Sequence, residues 1–434
     1  MLLPRIIGTG AVLAIFAAVC FGQDSTGFKI TPKGASWAEA GQVIKGYDKN
    51  AGDISHVYFQ RIYLNPGLDI RFSDRTSFSG GAGIKAFNEF PRLVKLGATR
   101  RYYYYLYLDY ADLMHKFVNT SKLEGNIGGG YFQYKYNENA RNLGEYLFRS
   151  TTYPQTITTE FDFPKARLAG LYSQWAYSLN KSKLKLDFLA FTNTEWVAIG
   201  DLNLSAIASY NYAKAFEIGA GVEFCSVVSA DEKATTPDYS NNTKYLNGTD
   251  TTNYYTFRGT KFMGRFSIDP KNIFPLIKIF GNEDLKIYGE ASLLGAKNYG
   301  VALHSPVWYN SILERIPVMV GFNFPTFKLL DVLSVEGEWW GNRYPNNMQG
   351  IVDNGEPLPF IDGTDAVDST MYKKDNFKWS IYAKRVFAQH YYLAAQAASD
   401  HMRTFAWDWN RQDWEESLRS PDKWYFVIKF GIQF

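Results

Sequence analysis

The sequence predicts an all-β fold: a transmembrane, antiparallel up-and-down β-barrel of about 14 strands, within a range of 12–16. Three observations carry that expectation. Segments of alternating apolar and polar residues recur along most of the 434-residue chain, the period expected of strands with one wet and one apolar face. The connections between them alternate between long and short. Aromatic residues make up 17% of the chain, with 31 Tyr and 11 Trp, and Tyr and Trp favour the boundary between lipid and water. A slightly negative mean hydropathy excludes a helical membrane protein but not a barrel, whose strands alternate lipid-facing and water-facing residues.

In chain order, His56–Phe72 reads as extended but broken by Asn65-Pro66-Gly67, a turn signal, so it is either one hairpin or a lead-in. Phe78, Gly80, Ala82, Ile84 and Ala86 share one face of the next segment. Arg101–Tyr110 follows with Tyr102, Tyr104, Leu106, Leu108 and Tyr110, then Gly125–Tyr136, with 111–124 irregular between them. Leu168–Leu179 and Leu184–Phe191 form a hairpin through Asn180–Lys183. Asp201–Asn211 turns through 212–216 into a strand carrying Ile218, Ala220, Val222 and Phe224. Later segments are Phe257–Ile268, Leu285–Gly295, Ile316–Phe324, Val332–Gly341, Phe377–Val386 and Tyr391–Asp400.

Short connections fall at 180–183, 212–216, 324–331 and 387–390. Long ones fall at 137–167, 192–200, 229–256, 296–315, 342–376 and 401–422, with 269–284 a longer member of the short-turn end. Three Phe-Pro pieces recur, at Phe90-Pro91, Phe274-Pro275 and Phe324-Pro325. All three read as short-end turns, which would require an extra crossing inside 137–167.

The last strand is the most specific segment. Trp424, Phe426, Ile428, Phe430, Ile432 and Phe434 occupy one face, opposite Lys423, Lys429 and Gln433, and the chain ends on Phe434. This resembles the terminal strand of Gram-negative outer-membrane β-barrels of the porin-like type, where a C-terminal Phe serves as the assembly signal. The resemblance implies that these six residues form the assembly signal, with the barrel-assembly machinery and outer-membrane lipid as partners. It also makes the long loops extracellular and the short turns periplasmic. An unpaired backbone is costly in lipid, so such strands close on themselves in even number.

Residues 1–22 read as a signal peptide, with Arg5 ahead of the apolar run Ile6–Phe21. A lipoprotein cleavage before Cys20 is the alternative, disfavoured by branched Val19. Residues 23–55 read as an N-terminal periplasmic or lumen-inserted segment and 56–434 as the barrel, located in the outer membrane. Cys225 would be the one mature cysteine, which excludes a disulfide-stapled domain. The net charge of +3, with no basic block, gives no support to nucleic-acid binding.

No enzyme constellation appears. The five histidines are scattered, and neither a nucleophile elbow, a phosphate loop nor metal-ligand spacing is present. No cofactor is expected. The informative residues lie opposite the apolar faces: Arg101, Lys135, Lys185, Asp187, Glu217, Glu223, Lys261, Arg265, Lys286, Glu290, Glu336, Glu338, Lys378 and Lys384, joined by Asp109, Lys183 and Lys429. Charge is costly against lipid and tolerated in a wet lumen. Two readings stand for this set: rings that tune solute selectivity, or a lumen cross-linked by ion pairs and closed by loops. Trp407, Trp409 and Trp414, in the loop 401–422, suit either glycan stacking or packing on the barrel rim. The acidic loop 342–376 matches no calcium motif and reads as a solvated loop.

The functional expectation is a passive porin-like channel for small polar solutes. One alternative is a surface-exposed barrel whose long loops bind glycans or partner proteins. Another is a hydrophobic-substrate transporter with an N-terminal hatch, which the polar lumen set disfavours.

Overall fold

A computed structural model describes residues 28–48, 52–88, 103–149, 165–194, 200–230, 246–247, 250–254, 257–274, 279–296, 312–340, 376–403 and 416–434. Residues 1–22, read from sequence as a signal peptide, Arg101 and the loop tryptophans Trp407, Trp409 and Trp414 lie outside these residues.

Sixteen strands form one closed barrel. They are β1 (Lys29–Lys45), β2 (Tyr58–Arg71), β3 (Thr76–Asn88), β4 (Tyr103–Asn119), β5 (Leu123–Tyr134), β6 (Ala166–Leu179), β7 (Ser182–Thr192) and β8 (Leu202–Tyr212). They continue with β9 (Phe216–Val228), β10 (Gly259–Ile268), β11 (Ile287–Leu293), β12 (Val318–Asn323), β13 (Val332–Trp339), β14 (Phe377–Phe387), β15 (Tyr391–Ser399) and β16 (Trp424–Gln433). Each pairs antiparallel with its chain neighbours, and β1 pairs with β16 to close the sheet. Closure removes the free edges that a sheet would otherwise present.

The expected count of about 14 rises to 16 for two reasons. The 23–55 segment is no hatch or insert: its residues 29–45 are β1, hydrogen-bonded to β16 on one side and β2 on the other. Its outward residues include Ser36, Ala38, Ala40 and Gln42, too small or polar to show an apolar stripe. The second reason is that 58–71 is a single strand, not a hairpin. Pro66 stays within β2, still in register with Gly34 of β1, while pairing toward β3 skips from Leu64 to Gly67. Pro lacks an amide hydrogen, so one ladder position is interrupted rather than the strand. The irregular stretch 111–124 is likewise mostly strand, since β4 runs to Asn119 and turns in three residues.

These strands restore a consistent parity. The connection 89–102, containing Phe90-Pro91, joins strand ends at the long-loop rim, so no extra crossing hides in 137–167. The turns 180–181, 213–215, 324–331 and 388–390 all lie at the opposite rim with the C-terminus, as does the longer 269–286 with its short helix Pro270–Ile273.

Outward side chains are apolar and exposed, among them Leu106, Leu171, Phe188, Val320, Ile381, Leu393, Ile428 and Phe430. Their chain neighbours point inward and are mostly polar or small. Buried apolar residues form three clusters, of which the one with the most residues lies inside the barrel. There Phe132, Tyr134, Leu168, Leu189, Phe191, Ile207 and Met263 enclose Leu147 and Phe148 of a short helix α1 (Tyr146–Arg149).

Candidate functional site: a basic cavity beside an inward-folded loop

Residues 135–149 do not rise away from the barrel after β5. They turn into it and dock on the inner wall. Six consecutive backbone amides make the attachment. Arg141, Asn142 and Leu143 donate to the Glu336 carboxylate at 2.6, 2.9 and 3.0 Å. Gly144 donates to Glu338 at 3.4 Å, and Glu145 and Tyr146 donate to Glu290 at 3.1 and 2.9 Å. Consecutive amides can converge because Gly144 and Glu145 both have left-handed backbone, at φ 85° and 60°, the arrangement that makes an anion-binding nest. A side chain at 144 would also collide with the Met319 methyl, 2.8 Å from the Cβ position.

Side chains complete the grip. Tyr136 and Asn137 donate to Glu290 at 2.6 and 3.0 Å. Tyr288 donates to Glu336 at 2.8 Å and Tyr146 to Glu338 at 3.0 Å. Lys261, paired with Glu223 at 3.3 Å, donates to the Leu147 carbonyl at 2.7 Å. Glu290, Glu336 and Glu338 sit on β11 and β13 because inward positions recur every second residue, and Met319 lies in register between Glu290 and Glu338. All three are buried, which is sustainable because their oxygens are supplied with donors.

A second clasp holds the base of the 400–423 connection. His401 contacts Glu338 through Nε2 and Glu416 through Nδ1, both at 2.6 Å, and Lys378 lies 2.9 Å from Glu416. Burial alone would lower the His401 pKa, but the carboxylates of Glu416 and Glu338 prevail and raise it to about 10. The imidazolium therefore bridges two carboxylates. Asn142 joins the two clasps by donating to Asp400 at 2.6 Å.

With its acidic sector covered, the lumen leaves a cavity of about 660 Å³ between the loop and the opposite wall. Its lining carries eight Lys and Arg side chains, Arg61, Lys135, Arg141, Arg149, Lys165, Lys384, Arg403 and Lys429, besides His401 of the clasp, against three carboxylates, Glu39, Glu138 and Asp400. The far wall is ordered by register. Lys384, Ala394, Lys429, Glu39 and Arg61 lie side by side across β14, β15, β16, β1 and β2. Glu39 is shared between Lys429 at 3.0 Å and Arg61 at 3.3 Å.

Of the charged residues singled out from sequence, Lys135 and Lys384 line this cavity, as does Lys429. Lys135 belongs to the loop rather than a strand. Glu290, Glu336, Glu338, Lys261, Glu223 and Lys378 position the two clasps. Arg265 pairs with Glu217, Asp187 accepts from Tyr134 at 2.6 Å, and Lys185 is exposed. Lys286, in the 269–286 connection, pairs with Glu283 at 2.6 Å. Sequence reading missed Trp37 and Glu39, whose strand went unrecognised, Arg61, whose segment read as a broken hairpin or lead-in, and Arg141, Arg149 and His401, which lie in connections. Only the inward alternation Trp37, Glu39, Gly41 could have signalled the first two. On the face of β16 expected to point outward, Ile428, Phe430 and Phe434 are about half exposed. Among the described residues, no group of three His, Cys, Asp or Glu is placed to hold a metal ion.

No family model matches the sequence, and no curated protein matches it. Solved structures do show similarity. A complex of Salmonella typhi OmpF with daunomycin is 11% identical over 94% of this chain and 98% of that one, with a TM-score of 0.46. The outer membrane channel DcaP of Acinetobacter baumannii is 11% identical over 95% and 99%, with a TM-score of 0.45. A mutant of the Rh. blastica porin is 7% identical over 93% and 100%, with a TM-score of 0.41.

Proposed function

We propose that this barrel spans an outer membrane as a passive, porin-like channel for small polar solutes, with a preference for anions. The observation that carries the reading is the cavity beside the inward-folded loop, whose lining has eight Lys and Arg side chains and three carboxylates. A lumen wall of one sign, in low-dielectric surroundings, concentrates solutes of the opposite sign. The exposed apolar outer face supports burial of the strands in lipid, where a closed ladder leaves no backbone group unpaired. Spanning, export and extracellular placement of the long loops follow from the same reading. The test is the reversal potential of the refolded protein in a planar bilayer under a KCl gradient. Anion selectivity is expected. Absence of conductance overturns the channel, and cation selectivity overturns the assignment of the basic cavity as its narrow part.

A further inference from the structure

The basic row on the far wall does not stand alone. The inward row two residues toward the short-turn rim runs Tyr392, Gly431, Trp37, Tyr63 across β15, β16, β1 and β2. The row two residues the other way contains Tyr382 and Phe59. Cations are thus bracketed above and below by aromatic rings. The rings lie along the wall because of what faces them. The Tyr392 ring occupies the space a side chain at Gly431 would need, 2.3 Å from the Cβ position, and the Phe59 ring does the same at Gly41, at 2.5 Å. Trp37 stacks on Tyr63 at 4.5 Å, and Lys429 lies 5.5 Å above the Trp37 ring.

The charges in the row are not equivalent. Lys429 and Arg61 share Glu39. Lys384 has no carboxylate within ion-pair distance among the described residues; its partner is the Tyr392 ring, 4.5 Å away. A cation held by a ring face keeps its capacity to bind an anion, since the ring offers no full negative charge. Tyr382 stands two residues away on the same inward face of β14, and Arg141 of the docked loop lines the same cavity.

We propose that this wall is a binding site for aromatic carboxylates, with the carboxylate on Lys384 and the ring against Tyr382 and Tyr392. The inference rests on the channel reading for its biological setting, and it deepens that reading by naming a solute class. A small hydrated anion uses only the cation. A planar apolar anion also covers the rings beside it, so it binds more tightly than an aliphatic anion of equal charge.

The test uses the full-length refolded barrel in two assays. In planar bilayers, benzoate added to KCl is expected to reduce chloride current in a saturable manner, at a concentration at least about tenfold below acetate or gluconate. In detergent, isothermal titration with benzoate and with benzyl alcohol reads binding without requiring conduction. Lys384→Gln is expected to weaken benzoate about tenfold, the order of a lost hydrogen bond between charged groups. Tyr392→Leu should reduce the ratio of benzoate to acetate affinity. An anion-selective channel that treats benzoate, acetate and gluconate alike overturns the proposal and leaves the channel standing. Benzoate binding in detergent without conductance does the reverse. Equal binding of benzyl alcohol, or unchanged affinity in Lys384→Gln, also overturns it.

Discussion

His401 shows how one buried group can set the behaviour of a long connection. It lies beyond the end of β15, between a strand carboxylate, Glu338, and a loop carboxylate, Glu416. Its pKa is raised from the ordinary 6.5 to about 10, so the folded state holds the proton more tightly than the unfolded chain. The stabilisation is complete below the ordinary value and is lost as pH rises through about 10. The urea unfolding midpoint of the barrel is therefore expected to fall between about pH 7 and pH 10.5 relative to His401→Gln, which lacks the titration. Parallel pH profiles for the two proteins would contradict the imidazolium bridge. Phe434 matters through its place at the seam. Its amide and carbonyl exchange hydrogen bonds with Gly34, at 3.0 and 2.9 Å, so the last residue closes β16 onto β1. Phe434→Ala keeps both backbone bonds and removes only the half-exposed ring, so the lowered fraction of folded barrel expected from it, read as heat-modifiable gel migration after assembly in cells, reports on the terminal aromatic signal alone. Normal assembly of that variant would argue against the terminal signal.

At the scale of elements, the docked loop lies inside the barrel and lines one side of the basic cavity. Its attachment rests on charge-assisted hydrogen bonds from backbone amides, each contributing about 1.5–3 kcal/mol. A glutamine offers one acceptor oxygen in place of two and brings an NH2 group toward those amides. Glu290→Gln combined with Glu336→Gln is therefore expected to free the loop while the strands remain paired. Single-channel conductance should rise and anion selectivity should fall, because Arg141 and Arg149 leave the narrow part with the loop. Unchanged conductance in a folded double variant would show that the loop does not limit the pore. The strands themselves were largely readable. The β6–β7 and β8–β9 hairpins and β16 alternate cleanly, as large outward residues face polar inward ones. β1 was not readable, since small residues such as Ala38 and Ala40 on its outer face leave no contrast. Pro66 resembled a turn because a chain pattern does not reveal that the lost amide falls at a position where only one ladder is interrupted.

Over the whole molecule, charge is divided between two walls. The sequence offers inward cations in slight excess over inward carboxylates, which hints at anions but does not say which charges face the solute. Folding separates them. The carboxylates of β11 and β13 are covered by loop amides, and the cations of β14, β16 and β2 are left facing the cavity. The anion preference expected from the reversal potential should accordingly weaken as salt rises and screens the wall. What the sequence determined by itself is local: strand periodicity, the apolar outer face, the polar inner face and the long and short rims all follow from alternation along one strand. What the tertiary structure decided is which inward charges meet water. That depends on register between strands distant in the chain, such as β16 against β1, and on a loop whose amides reach glutamates 144 to 195 positions later. Neither distance leaves a trace in a period of two.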